Sequence, residues 1–206
     1  MTGHDASENR DNCMTIRRAA AGEEDSVLAF YGDLIERMRN REYRPSWTIG
    51  VYPAWEDIHA AIAASDLFVA LEAGAIVGAF ILNHVQAESY RDVRWAFPAT
   101  PDRVGVIHLL AVHPAIQGRG AAKELLRRAA EESRSRGDVV IRLDTLTWNL
   151  PGRRLYEGFG FRYCGDYQQT YPTTGTIPFS MFELDLTAAS TASSPIPGRN
   201  RERMGR

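Results

Sequence analysis

Between His113 and Ser133 the chain reads HPAIQGRGAAKELLRRAAEES, and six of these residues, Gln117-Gly118-Arg119-Gly120-Ala121-Ala122, could hold an anion. A strand-like run, VGVIHLLAV, leads into them and a helical pattern leaves them. The first turn of a helix carries backbone N–H groups without partners inside the helix, and the aligned peptide dipoles put partial positive charge at the same end. Absent or minimal side chains at Gly118, Gly120, Ala121 and Ala122 would let a phosphate reach those groups. Arg119 adds a cation, and Gln117 a side-chain amide. In chemical terms this is a pyrophosphate cradle, although a plain chain reversal would use the same glycines. Neither common nucleotide fingerprint is present: there is no GxxxxGK[ST], and GRGAAK lacks the third glycine of GxGxxG. The second chemical candidate is His108, in V-I-H-L-L-A-V-H-P. An imidazole with an ordinary pKa of about 6.5 can take a proton near neutral pH. A hydrogen-bonded core histidine is the alternative.

Composition limits what can surround these residues. The chain has 206 residues, 44 % of them hydrophobic, and a formal net charge of −2. That predicts one domain with tails, whose core stands without disulfides or metals. The charge creates no field favouring nucleic acid or a membrane surface. The two cysteines, Cys13 and Cys164, form no CxxC, and the five histidines form no HxxxH, so no metal is expected. No apolar run approaches the roughly 20 residues of a membrane span. The start, MTGHDASENRDN, is too polar for a signal peptide. A cytoplasmic location is the default expectation.

The elements that must position the candidates follow from periodicity. Residues 1–13 and 187–206 are polar and aperiodic and are read as disordered tails, the second one basic at its end. Residues 14–186 are read as the folded domain. Met14–Arg18 reads as a strand. Glu23–Arg39 carries Val27, Phe30, Leu34, Ile35 and Met38 at helical spacing, and Trp55–Ala64 is a second helix. Leu67–Glu72 and Ala75–Val85 are apolar runs separated by Ala73-Gly74, a hairpin signal. Residues 86–104 read as a long loop, of the kind that often carries function. Val104–His113 reads as a buried strand and Gln117–Arg136 as a long amphipathic helix closed by Gly137. A strand at Val139–Leu146, a short helix at Pro151–Gly158, and strands at Gly160–Tyr171 and Pro178–Leu186 complete the chain. This order predicts an α/β domain with a mixed, mostly antiparallel sheet.

Q-G-R-G-A-A at 117–122 resembles the [RQ]-x-x-G-x-[GA] segment of the GNAT superfamily of acyl-coenzyme A-dependent N-acetyltransferases. N-x-x-x-x-x-L-Y-x-x-x-G-F, at Asn149, Leu155, Tyr156, Gly160 and Phe161, is similar to that family's second segment. The likeness covers roughly Thr15 to Leu186 and is most specific over 105–161. It implies a sheet of about seven strands with a bulged, splayed central strand, flanked by about four helices. It implies acetyl-coenzyme A as acyl donor, its pyrophosphate on Gln117 to Ala122 and its pantetheine arm along Leu110, Ala111 and Val112, with Asn149 and Tyr156 nearby. It implies Tyr156 as the acid that protonates the leaving thiolate and the N–H of Leu110 as the group that polarises the thioester. H-L-L-A-V-H resembles arylalkylamine N-acetyltransferases, which implies His108 as base, although Val106 stands where those enzymes have a second histidine. This chain also has Asn149-Leu-Pro-Gly152 where many members have Asn-x-x-Ala. Glu88 and Asp92 are alternative carboxylates for base or amine attraction. Arg142 and Asp144, in I-R-L-D-T, read as a structural pair. Trp47, Tyr52, Glu88 and Trp95 are the expected acceptor-side residues, with Trp55, Tyr90, Tyr167 and Tyr171 as further aromatic wall. The expected partner is a small-molecule amine, with a homodimer as a candidate assembly. A non-catalytic acyl-coenzyme A sensor and a protein or peptide N-acetyltransferase are the competing readings.

Overall fold

Alternating and continuous apolar runs give seven strands and helical ones give four helices in the computed structural model, which describes residues 14–171 and 175–187. The tails read at 1–13 and 187–206 lie outside the described residues, Thr187 excepted. In chain order the elements are β1 (Thr15–Arg18), α1 (Glu24–Met38), α2 (Trp55–Ala63), β2 (Leu67–Glu72), β3 (Ala75–Asn83), β4 (Val104–Val112), α3 (Ala121–Arg136), β5 (Val140–Leu146), α4 (Leu150–Phe159), β6 (Arg162–Tyr171) and β7 (Gly175–Asp185). They build one sheet in the order β1-β2-β3-β4-β5-β7-β6, antiparallel throughout except between β4 and β5. Among the described residues no helix is long and apolar enough to cross a membrane.

Strand alternation divides the core into two faces. On one, Leu125, Leu126 and Ala129 of α3 and Tyr156 of α4 pack on Phe80, Leu82, Ile107, Ile141, Leu143 and Phe182. The other face carries two separate clusters. Val27, Tyr31 and Leu34 of α1 and Ile58 and Ile62 of α2 cover Val69, Ala79, Ile81 and Leu109. Tyr90 and Val93 cover Val104, Val106, Val140 and Met181. His108, two residues past Val106, lies on this second face.

Several element boundaries differ from the sequence reading, most of them by one or two residues. The helix expected from Gln117 begins at Ala121. Gly118 and Gly120 have φ of 81° and 87°, left-handed values that no helix continues through, so they lie before the helix and not in it. The loop after β3 contains short 3-10 turns at Glu88–Asp92 and Pro101–Arg103. β7 starts at Gly175, three residues before Pro178.

That loop is clipped to the sheet from beneath. Glu183 of β7 is fully buried and accepts from the N–H groups of Ala96 at 2.5 Å and Phe97 at 3.4 Å. Arg142 of β5 donates to the Gln86 side-chain oxygen at 2.9 Å and to the Phe97 carbonyl at 3.2 Å, and its guanidinium lies 4.3 Å over the Trp95 ring. Burial lowers the Arg142 pKa, and the charge of Glu183 opposes that shift. Removing one charge from such a pair leaves the other buried without compensation. Arg142→Met is expected to cost about 3 kcal/mol in chemical denaturation and to speed amide hydrogen exchange at Ala96 and Phe97; a stability within about 0.5 kcal/mol of wild type would contradict the clip.

Candidate functional site

The parallel strands β4 and β5 share only three rungs, Val104–Val140, Gly105–Ile141 and Val106–Arg142. Past Val106 no ladder pair joins them, so a wedge opens toward the end of β4. Its other edge is irregular as well. Two residue steps on β3, from Ala79 to Ile81, face three on β4, from His108 to Ala111. Leu109 takes up the extra residue at φ 52°, a left-handed conformation that costs a non-glycine residue about 1–2 kcal/mol. The Tyr31 hydroxyl donates to the Leu109 carbonyl at 2.7 Å, in the interior, and holds the bulge. Leu109 and Leu110 have no partner in the β3 ladder.

β4 runs on into the glycine turn. His113 caps the 3-10 turn Pro114–Ile116, its Nδ1 accepting from the Ala115 N–H at 3.2 Å. Gly118 and Gly120 follow. A Cβ placed on either would meet nothing within 4 Å, so both present bare backbone to open space. Gly120 is the N-cap of α3 and has no side chain to satisfy the first-turn amides. Ala121 and Ala122 are the first two residues of that helix, so their N–H groups have no helical partner. This is a shape a phosphate group fits.

Chemically active side chains stand on both lips of the wedge. Val106 and Arg142 form its last rung; His108 and Asp144 each lie two residues further, hence on the same face. His108 is half-buried, with Nε2 3.0 Å from Asn83 Oδ1. That oxygen also accepts from the Val85 N–H at 2.9 Å, so the imidazole Nε2–H is the donor. Burial lowers the His108 pKa, with a smaller opposing contribution from a hydrogen bond to the Val85 backbone, and keeps the ring neutral at pH 7. Asp144 is held up in pKa by burial, against hydrogen bonds from Gln169 at 3.1 Å and from Tyr90. Tyr156 reaches in from α4, packed at 5.8 Å against Phe161 and 5.5 Å against Phe182. Burial, and then the charge of Asp144, raise its pKa, so its hydroxyl keeps its proton well into the alkaline range.

A family model described as the acetyltransferase (GNAT) family matches residues 33–161, more than half of the chain. The chain belongs to the GNAT family. Over 93 residues, 44 % of this chain and 54 % of the relative, it is 32 % identical to the L-methionine sulfoximine/L-methionine sulfone acetyltransferase of Salmonella typhimurium. Over 66 residues it is 36 % identical to YsnE of Bacillus subtilis, an uncharacterized N-acetyltransferase, across 31 % of this chain and 41 % of that one. The chain thus spans about half the length of the curated relatives it matches. The yncA acetyltransferase structure from Salmonella typhimurium, solved with its cofactor acetyl-CoA, superimposes with a TM-score of 0.62 at 20 % identity, over 90 % of this chain and 99 % of that one. That likeness is one of fold.

On this GNAT frame the residues expected from sequence separate into two groups. Leu110, Ala111 and Val112 follow the bulge, Gly118, Gly120, Ala121 and Ala122 form the turn, His108 stands two residues past the last β4–β5 rung, and Tyr156 lies buried on α4 within electrostatic reach of Asp144. Most of the others are engaged by neighbouring side chains or backbone. Arg119 is gripped by Glu72 through two hydrogen bonds of 2.6 and 3.2 Å. The Gln117 amide donates to the Val112 carbonyl at 3.2 Å and closes the junction between strand and turn. Asn149 is the N-cap of α4: its Oδ1 accepts from the Gly152 N–H at 3.2 Å, and its Nδ2 donates to Thr145 at 2.8 Å. A Cβ on Gly152 would collide with the Asn149 side chain, which accounts for glycine at that place. Glu88 is exposed, 3.5 Å from Arg91, and Asp92 is exposed too. Trp95 is the ring under Arg142, its Nε1 donating to the Tyr90 carbonyl at 2.9 Å. Trp47 stands edge-on to Tyr31 at 5.7 Å, and Tyr52 is close enough for its ionised form to oppose that of Tyr31.

Asp144, read from sequence as part of a structural pair, stands on β5 two residues past the last rung, on the sheet face of His108, and accepts from Gln169. One residue beside the bulge escaped the sequence reading. Tyr31 had a signal of its own: it shares a helical stripe with Val27 and Leu34, one hydroxyl among apolar neighbours.

Proposed function

We propose that the chain transfers an acetyl group from acetyl-coenzyme A to the primary amine of a small molecule, with donor and acceptor bound together. The wedge between β4 and β5, ending on the bare turn at Gly118 and Gly120, carries this reading. The open amides of Gly120, Ala121 and Ala122 would receive the pyrophosphate, and the stretch of β4 from Leu110 to Val112, which has no β5 partner, would run beside the pantetheine arm. Acetyl-coenzyme A supplies an activated thioester carbonyl. The Leu110 N–H is the donor assigned to that oxygen as negative charge develops on it. His108 takes the proton, directly or through one water, from an ammonium whose pKa of about 10 keeps it unreactive at neutral pH. Asp144 draws the ammonium toward His108, and Tyr156 returns a proton to the leaving thiolate. A matched relative is named for L-methionine sulfoximine and L-methionine sulfone, both small molecules, which supports the choice of acceptor class.

The test is release of free thiol from acetyl-coenzyme A against a panel of polyamines, arylalkylamines, amino acids and peptides. Turnover with small amines supports the reading. Tight coenzyme binding with no turnover would identify a sensor, and turnover on peptides alone a protein-modifying enzyme.

His108 has a signature of its own. A base whose pKa is lowered gives a rate that climbs with pH below about 6.5 and is level above it. His108→Ala is expected to lower kcat about tenfold at pH 7 and to displace the rising limb to higher pH. An unchanged limb in that variant would pass the role of base to Asp144, whose Asn variant would then remove it.

A further inference from the structure

We propose that Tyr31 is a positioning residue that sets both the direction and the strength of the oxyanion-binding amide, through a relay across one peptide group. This rests on the acetyl-transfer reading above. A peptide unit is planar and nearly always trans, so its C=O and N–H point in opposite directions. The Leu109 carbonyl and the Leu110 N–H belong to the same unit. The Tyr31 hydroxyl takes the carbonyl at 2.7 Å on the α1 side, so the N–H is turned away from α1. No ladder contact with β3 fixes this unit, because the register skips Leu109 and Leu110. Its backbone is strained, with Leu109 at φ 52°, so it needs an outside hold.

The hold is rigid. Tyr31 is fully buried on α1, its ring meeting Phe30 edge-on at 5.1 Å and Trp47 at 5.7 Å. Burial raises its pKa well above the ordinary phenol value, so the hydroxyl stays a donor at neutral pH and beyond the point where a free phenol ionises. A hydrogen bond accepted by an amide carbonyl also polarises that amide and strengthens its N–H as a donor. The chain Tyr31 O–H, Leu109 C=O, Leu110 N–H therefore aims and sharpens the group that faces the thioester oxygen. Trp47, expected from sequence to meet the acceptor, packs on the same tyrosine, so the acceptor wall and the bulge share one support.

The experiment is Tyr31→Phe in the full chain, which keeps the ring contacts and removes only the hydroxyl. Loss of an aimed amide should lower kcat about tenfold to thirtyfold, with the KM for acetyl-coenzyme A changed less than threefold and cooperative melting retained. The second reading is infrared: acetyl-coenzyme A carrying a ¹³C-labelled acetyl carbonyl, bound without acceptor. In wild type its band should lie below that of the free thioester, and in Tyr31→Phe it should return toward the free position. An unchanged kcat, or the same displaced band in both proteins, overturns the role of Tyr31 alone. A wild type that binds no acetyl-coenzyme A overturns the acetyl-transfer reading and this role together. Should the phenylalanine variant fail to fold, 3-fluorotyrosine at position 31 donates more strongly in the same space. The band must then move further from the free value, and a stationary band overturns the relay.

Discussion

Tyr156→Phe is expected to lower kcat for acetyl transfer by about a hundredfold or more, the scale of a lost general acid. A thiolate expelled into the same buried site has its basicity raised by desolvation as the phenol's is, so the two stay comparable and a proton can pass between them. The phenol must first be un-ionised. Burial among Phe161 and Phe182, with the charge of Asp144 nearby, ensures that by raising its pKa. The native protein therefore holds this proton at pH values where an unfolded tyrosine, at about 10, has lost it. By linkage, the contribution of Tyr156 to stability is whole below pH ~10 and is lost as pH climbs from there through the higher native pKa. The rate in wild type should show no fall from tyrosine ionisation up to pH ~10. Thiol-release kinetics on the two proteins, with coenzyme affinity measured in parallel, decide the matter. A variant within twofold of wild type would strip Tyr156 of the acid role.

Gly120→Asp is expected to raise the KM for acetyl-coenzyme A about a hundredfold while the fold survives, because one new carboxylate at the first-turn amides of α3 takes the donors a diphosphate would use and repels its charge at close range. Aspartate is chosen because it accepts left-handed backbone more readily than most residues, and Gly120 sits at φ 87°. The space is there too, since a Cβ at this position meets nothing within 4 Å. Stability and binding thus separate. Thermal melting should move by only a few degrees, while titration calorimetry with coenzyme A should register a large loss that high salt partly restores. Equal affinity in variant and wild type would place the anion elsewhere.

What sequence could foresee depended on distance along the chain. The order of strands and helices was legible because each element announces itself through local periodicity, and the bare turn before α3 because its glycines and its helix are neighbours. The start of α3 was misplaced by four residues, since amphipathic spacing continues backward through Gln117 and Gly118 while backbone geometry forbids a helix there. The bulge had no sign of its own. Leu109 is an apolar strand residue by every local measure, and its left-handed turn is braced by Tyr31, 78 positions earlier. Arg119 looked like a free cation until β2 brought Glu72 beside it, 47 positions away. Asp144 and Arg142 looked like one ion pair because they alternate on one strand face. In the fold they part company, Arg142 toward the loop and Glu183, Asp144 toward Gln169 and the wedge. Asn149 was legible as a motif member, but its work as the cap of α4 required knowing where that helix begins.

With only Val104, Gly105 and Val106 bonded to β5, the sheet is close to being two: a meander of β1 to β4, and a block of β5, β7 and β6 strapped on by α3. A molecule lodged in the cleft would supply the cross-links that the missing rungs do not. At a hundredfold excess over its Kd such an occupant adds about 2.7 kcal/mol to the folded state by mass action alone. Resistance to heat and proteolysis would then follow the ligand supply, and the three-rung seam is where limited proteolysis should find the first opening.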